Sequence, residues 1–268
     1  MAQSASSSQI DKSSLPPSFT SVLPRSRNCL SAEEGGQASP PDLGGPGRRG
    51  NDGEWWSGPL LISFPTMKKR RTVGDGALDC AEVINWRKAE RQRLIAERLA
   101  IPGDIRRRHA DHIAASLDEV IGEVRGRVIS AYWPFRGEPD LRGFMGRVLS
   151  RAGRCALPMV KERGKPLVFR PWSPGEPLAK GVWNIPVPAS TEEVVPDIVI
   201  APVVGFDQAC YRLGYGSGFF DLTLARMKNS PLKLGVGYRQ QALVTIHPQP
   251  NDIPMDMVIT EEGACFPE

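Results

Sequence analysis

No stretch of this 268-residue chain approaches the roughly 18 consecutive apolar residues that a membrane-spanning helix needs. The N-terminus likewise lacks a basic segment followed by an apolar run and a cleavage site, so an unexported protein without a membrane partner is expected. Cysteine is sparse and scattered. Cys29, Cys80, Cys155, Cys210 and Cys265 form no CxxC pair and are odd in number, which argues against both a disulfide framework and a zinc site and favours a reducing, cytoplasmic setting. Charge of one sign is also missing: 34 basic against 30 acidic side chains leave a formal net charge of +4, a weak argument for nucleic acid but compatible with a small phosphorylated ligand. What is present is 40% hydrophobic residues, enough for a core in one large or two small domains.

Ser, Pro and Gly occupy 23 of the first 50 positions, too little apolar surface to offset the entropy of ordering. Residues 1–80 are therefore expected to be largely disordered, and residues 81–268 to form the folded domain. Trp55-Trp56 and Pro59-Leu60-Leu61-Ile62 are candidates for docking on that domain, and Lys68-Lys69-Arg70-Arg71 reads as solvated linker charge.

From Trp86 the composition changes to strong helix formers, WRKAERQRLIAERLA, halted before Pro102-Gly103. At about 100° per residue Arg87, Arg91 and Arg98 share one stripe, with Ile95 and Leu99 beside it. Ile113, Leu117, Val120, Ile121 and Val124 repeat at helical spacing, and RVISAYW reads as a strand. Asp140 is placed to cap a helix carrying Leu141, Phe144, Met145, Val148 and Leu149 and ending at Gly153. CALPMV, LVFRPW and DIVIAPVV follow as strands, with KLGVGY, ALVTI and MVIT as shorter candidates. The alternation predicts an α/β fold: a mostly parallel sheet with helices on both faces, a three-layer Rossmann-like arrangement that binds ligands beyond its carboxyl strand ends.

Chemistry is concentrated in Tyr211-Arg212-Leu213-Gly214-Tyr215-Gly216-Ser217-Gly218-Phe219-Phe220-Asp221, between DIVIAPVV and a helix marked by Phe220, Leu224 and Met227. Alternating glycines let backbone N–H groups converge, a helix start adds partial positive charge, and Arg212 offers a bidentate partner for phosphate. The segment is neither a Walker loop nor a dinucleotide GxGxxG, so by itself a structural glycine turn competes with a phosphate site. His109 and His112 have no third ligand nearby and read as surface or interface residues. Cys210 has no neighbouring histidine and reads as a buried thiol.

The segment VVGFDQACYRLGYGSGFFD resembles the signature of the 5-formyltetrahydrofolate cyclo-ligase family, also called 5,10-methenyltetrahydrofolate synthetase. The resemblance extends over about residues 86–262, through WRKAERQRLIAERL, YWPFRGEPDLR, GVWNIPVP and HPQPNDIPMDMVITEE. It implies a ligase of one-carbon metabolism that uses ATP and Mg2+ to cyclise 5-formyltetrahydrofolate, with or without a polyglutamate tail, through a phosphorylated formyl group. It further implies that Arg87 and Arg91 hold ATP phosphates, with Arg87 where the family commonly has Lys, and that Arg212, Leu213, Gly214, Tyr215, Gly216, Ser217, Gly218, Phe219 and Phe220 wrap the nucleotide. Arg212 and Asp221 would be catalytic, Asp221 and Asp252 would hold the metal, and Trp133, Glu138 and Trp183 would contact folate. Phe219 and Phe220 stand where the family frequently has Tyr-Tyr, which removes hydroxyl contacts. A monomer or weak homo-oligomer with no nucleic-acid partner is expected. The competing readings are a ligase of the same fold acting on another formylated or amide substrate, and a non-catalytic nucleotide or nucleic-acid binding module.

Overall fold

The computed structural model describes residues 78–267. Trp55-Trp56, the apolar segment after it and the basic run 68–71 lie outside the described residues. The first helix, α1, spans Cys80–Ala100, six residues longer at its start than the run of helix formers suggests. The reason is a capping box: the Asp79 carboxylate accepts from the Glu82 N–H at 2.8 Å and the Glu82 carboxylate from the Asp79 N–H at 2.9 Å. α1 buries Val83, Leu94 and Arg98, whereas Leu99, expected on the buried face that the basic stripe borders, is exposed.

α2 (Gly103–Ile121) leads into β1 (Val128–Ser130), then α3 (Arg142–Ser150) and β2 (Arg154–Met159). β3 (Val168–Pro171) is followed by a small hairpin of β4 (Leu178–Lys180) and β5 (Pro186–Pro188). β6 (Ile198–Pro202) precedes a second hairpin, β7 (Gly205–Phe206) with β8 (Arg212–Leu213), and the short helix α4 (Phe219–Leu224). β9 (Leu232–Val236), β10 (Met257–Thr260) and β11 (Gly263–Cys265) complete the order.

Seven strands form one sheet, β11-β10-β9-β6-β1-β2-β3. Its five central strands are parallel, and the edges β3 and β11 are antiparallel. Strand alternation divides the core between two faces. Ile198 and Ile200 join Ile113, Leu117, Phe144, Met145 and Val148 beneath α2 and α3, whereas Val199 and Ala201 pack with Phe206, Cys210 and Leu224. The second face is thus covered by the β7–β8 hairpin and a helix of only six residues, with Met227 beyond its end. α1 is fastened by Leu94, which packs with Val204, Leu213 and Ile246. Among the described residues no helix is long and apolar enough to cross a membrane.

Two local expectations are corrected. ALVTI is not a strand: Arg239–Gln241 is a single 3-10 turn, and the residues after it are held individually, Leu243 N–H by Phe206 O at 2.8 Å and Ile246 N–H by the Asp207 carboxylate at 3.1 Å. Asp140 is not the cap of α3. Leu141 occupies that position, and Asp140, one residue earlier, accepts from the Arg142 N–H and pairs with its guanidinium.

α3 ends in a Schellman arrangement in which Ala152 N–H reaches Leu149 O at 3.1 Å and Gly153 N–H reaches Val148 O at 3.0 Å. The left-handed residue is Ala152 (φ 59°), not a glycine. Gly153 is needed for space, because a Cβ there would lie 2.7 Å from Val148 Cγ1. Ala152→Gly should therefore relieve strain and raise stability by about 0.5–1 kcal/mol after its unfolded-state entropy is counted. A urea midpoint that fails to rise would show that the turn is unstrained.

Candidate active site

The chain runs outward in opposite directions from the centre of the sheet, β1 to β2 on one side and β6 to β9 to β10 on the other. The switch between β1 and β6 opens a crevice at their carboxyl ends, where open α/β sheets bind ligands. A cavity of about 730 Å³ lies there, within the usual range for small-molecule sites. Its walls come from the segment after β1 (Tyr132 to Glu138), the end of β2, the β4–β5 hairpin, and the loop from Arg212 to Asp221. Of the residues singled out above, Arg87, Arg91, Trp133, Glu138, Trp183, Arg212, Asp221 and Asp252 all line it, as do positions 214–220. Leu213 does not; its side chain is core, packed with Leu94.

One end of the cavity is basic. Arg91 Nε donates to Gly214 O at 2.7 Å, which tethers α1 to the glycine loop. Burial lowers the Arg91 pKa, Arg87 lowers it further, and Asp252 opposes them. Gly216 (φ 101°) lies against this guanidinium, and a Cβ there would sit 3.5 Å from Arg91 Cζ. Arg87 donates to Ile246 O and His247 O, both at 3.0 Å, and pairs with Asp252. Arg212, with a side chain only 4% exposed, donates to Asp221 Oδ2 at 2.8 Å and lies over the Phe220 ring. Its buried Nε has no hydrogen-bond partner among the described residues. A buried guanidinium with an unused donor, beside two further arginines, suits an anion of several charges.

The two acidic residues are less free than their sequence positions suggest. Asp221 accepts from Arg212 and, at 3.3 Å, from the Ile253 N–H; Asp252 accepts from Arg87 and from the Gln249 N–H at 2.7 Å. Among the described residues there is no cluster of three metal-ligating side chains. Two hard carboxylates on one cavity wall nevertheless fit magnesium, which takes few protein ligands and retains water.

The remaining lining is rich in aromatic rings, with the Arg136 guanidinium 5.1 Å from the Phe135 ring, and encloses one acid. Glu138 is 7% exposed, accepts from the Phe135 N–H and the Tyr215 hydroxyl, both at 2.8 Å, and is pushed up to about 7 by burial, against the lowering influence of Arg98 and these hydrogen bonds. Trp133 packs edge-on against Trp172. Trp183 is 52% exposed, stands 6.2 Å from the Phe219 ring, and has a left-handed backbone (φ 57°) followed by Asn184 at 58°. Two consecutive non-glycine residues in that region store strain that recurs at binding sites.

Arg98 was legible as part of the basic stripe but not as a site residue. It is wholly buried and donates to Arg136 O at 2.9 Å, Val203 O at 3.3 Å and the Tyr215 hydroxyl at 2.5 Å. Its shared face with Arg87 and Arg91 was the available signal. The residues set aside stay apart from the cavity lining. His112 is exposed, His109 lies 3.6 Å from Glu261, and burial pushes the Cys210 thiol up to about 12, far from a reactive thiolate.

The model of the 5-formyltetrahydrofolate cyclo-ligase family matches residues 83–261, which hold every cavity residue. The chain belongs to this family. It is 26% identical over 178 residues to the 5-formyltetrahydrofolate cyclo-ligase of Mycolicibacterium smegmatis, covering 63% of this chain and 91% of that protein. It is also 26% identical over 144 residues to the cyclo-ligase of Escherichia coli K12, covering 51% and 79%. Among solved structures it resembles Aquifex aeolicus 5,10-methenyltetrahydrofolate synthetase, with a TM-score of 0.59 and 29% identity over 67% of this chain and 92% of that one. A synthetase from Mycoplasma pneumoniae, at TM-score 0.54 and 20% identity over 65% and 98%, shares the fold. The cyclo-ligase family match begins inside α1 and ends after β10, so it spans the α/β unit described above except the first turn of α1 and the edge strand β11.

Proposed function

We propose that this chain is an ATP-dependent 5-formyltetrahydrofolate cyclo-ligase, yielding 5,10-methenyltetrahydrofolate, ADP and phosphate. The observation that carries the reading is one cavity lined by Arg87, Arg91 and Arg212 with the glycine loop and also by Trp133, Phe135 and Trp183 with Glu138, the one buried acid among the residues that line it. An amide-like formyl oxygen is a poor leaving group. Attack of that oxygen on the γ-phosphorus of ATP forms an O–P bond and releases ADP. The side-arm nitrogen of folate then attacks the formyl carbon and gives up its proton, and the C–O bond breaks as phosphate departs, leaving the methenyl bridge. The protein's part is to position the two substrates and to place donors around phosphate oxygens.

On this reading Arg87, Arg91 and Arg212 bind phosphates and the backbone of residues 213–220 wraps the nucleotide. Glu138 takes the amide and amine edge of the pterin, between Trp133 and Trp183. Asp221 and Asp252 would hold Mg2+, which would neutralise charge on the phosphate oxygens. The protein acts in the cytoplasm on small molecules, as a monomer or weak homo-oligomer, without nucleic-acid or membrane partners.

The test is to incubate the protein with 5-formyltetrahydrofolate, ATP and magnesium and follow methenyl absorbance alongside ADP. Product at an undiminished rate without ATP would sink the mechanism, and no product with all components would sink the activity.

The same proposal takes the functional unit to be the α/β domain, with the segment before it dispensable. The cap of α1 refines where that boundary is cut. Removing residues 1–77 should leave activity within about twofold, whereas cutting through residue 80 also removes Asp79 and should lower stability by roughly 1 kcal/mol. Thermal melts of both truncations check this. Loss of a cooperative transition in the shorter truncation would make the N-terminal segment part of the folded unit.

A further inference from the structure

The glycine loop and the acid among the aromatic rings are joined by one side chain. Tyr215 belongs to the loop by its backbone, between Gly214 and Gly216, yet its hydroxyl donates to Glu138 Oε1 at 2.8 Å and accepts from Arg98 Nη2 at 2.5 Å. The direction of the first of these hydrogen bonds is forced, and the second follows from the charge on Glu138. A guanidinium only donates, so the hydroxyl accepts from Arg98, and when Glu138 is ionised the single hydroxyl proton goes to its carboxylate at 2.8 Å rather than to Phe135 O at 3.5 Å. Arg98 itself is fixed, since its other nitrogens hold Arg136 O and Val203 O and its side chain is wholly buried. Arg136 O and the Glu138 carboxylate belong to the turn after β1, Val203 follows β6, and Tyr215 lies in the loop after β8. The hydroxyl therefore joins the glycine loop directly to the turn after β1, and through Arg98 to α1 and the residue after β6, with the Phe135 ring 6.0 Å from the Tyr215 ring.

The glycines on either side give the loop backbone freedom that the tyrosine hydroxyl takes away only when it is docked. Anything that orders the loop from the nucleotide side favours the docked hydroxyl, and anything that engages Glu138 in its present orientation favours the ordered loop. Such a link is reciprocal by thermodynamic necessity.

Resting on the function proposed above, we propose that Tyr215 is a positioning residue that couples the nucleotide and folate subsites, with Arg98 as its fixed anchor. Nucleotide seated in the loop holds Tyr215 against Glu138, and Glu138 so held accepts the pterin edge. The order of magnitude expected is about a tenfold gain in affinity for either ligand when the other is bound, within the usual span for coupled sites.

The experiment is calorimetric titration with 5-formyltetrahydrofolate, with and without a non-hydrolysable ATP analogue, and the reverse titration, on the full-length chain. Wild type should show a coupling factor of about ten in both directions. Tyr215→Phe, which keeps the ring and removes only the hydroxyl, should reduce that factor to between about one and two in both directions of titration. In a second measurement, Tyr215→Phe and Glu138→Gln should lower folate affinity non-additively, because the first removes and the second weakens the same contact. A wild-type factor near one, a Tyr215→Phe protein that retains the full factor, or strictly additive losses would each overturn the coupling. If wild type makes methenyl product but the coupling persists in Tyr215→Phe, only this inference falls. If wild type neither binds folate nor makes product, the underlying function falls and takes the coupling with it.

Discussion

Arg212→Ala should cut kcat/KM on the order of a hundredfold or more, corresponding to about 3 kcal/mol of lost charge stabilisation, and should weaken ATP binding at the same time. The side chain is buried, its Nη2 is committed to Asp221 at 2.8 Å, and its Nε is turned into a region where no described group accepts from it. Burial lowers the pKa of this guanidinium while Asp221 and Asp252 oppose the shift, so the buried arginine has its counter-charge beside it. Asp221→Asn tests which of two roles that carboxylate has. If it holds magnesium, the defect should shrink as magnesium is raised at saturating folate. If it only orients Arg212, the defect should be the same at every magnesium concentration. Normal activity of Asp221→Asn at limiting magnesium would remove Asp221 from the metal site, and normal ATP use by Arg212→Ala would remove the loop from the phosphate site.

The parts of this protein that were legible in advance are those governed by local periodicity. DIVIAPVV is apolar on both faces because β6 is central, with Ile198 and Ile200 beneath one layer and Val199 and Ala201 beneath the other. Arg87 and Arg91 share a helix face, and that face meets Asp252 and Gly214. What escaped was decided by partners far away in sequence. ALVTI has the residues of a strand, but Phe206 O and the Asp207 carboxylate take its N–H groups one at a time and leave Val244 outside. Arg98 looks like any arginine in the last turn of a helix, and only the turn after β1, together with Tyr215, makes it a buried anchor. The start of α1 is a different case: Asp79 and Glu82 at capping-box spacing were readable and extend the helix back past Trp86. The signature loop was recognisable as a string of residues, but not the pairing of its arginine with its aspartate, because a loop's conformation is set by what it packs on.

The second large effect belongs to Glu138. A pterin edge presents N–H donors, so the carboxyl must be ionised to accept from both, and in the free protein burial holds its pKa at about 7. The groups facing it are the Arg98 guanidinium, the Tyr215 hydroxyl and the Phe135 N–H, all of which pull the other way and lose to desolvation. Because kcat/KM reports the free enzyme, its value for 5-formyltetrahydrofolate should fall tenfold per pH unit below about 7 while nucleotide affinity stays level. Glu138→Gln should abolish that limb and lower folate kcat/KM at pH 8 by roughly a hundredfold, about 3 kcal/mol for lost hydrogen bonds to a charged group. Stability should respond in the opposite sense. The folded carboxyl keeps its proton up to about 7 and the unfolded one only to 4.5, so between those values the native state binds more protons and stability falls as pH rises. Wild type should therefore lose up to about 3 kcal/mol between pH 4.5 and 8 that Glu138→Gln does not lose, whatever constant offset the substitution adds. Urea unfolding of both proteins across that range gives the difference in slope. Parallel slopes would mean that Glu138 is ionised well below neutrality and that the acid limb, if seen, belongs to another group; a flat kcat/KM profile with diverging slopes would mean that folate does not depend on this carboxylate.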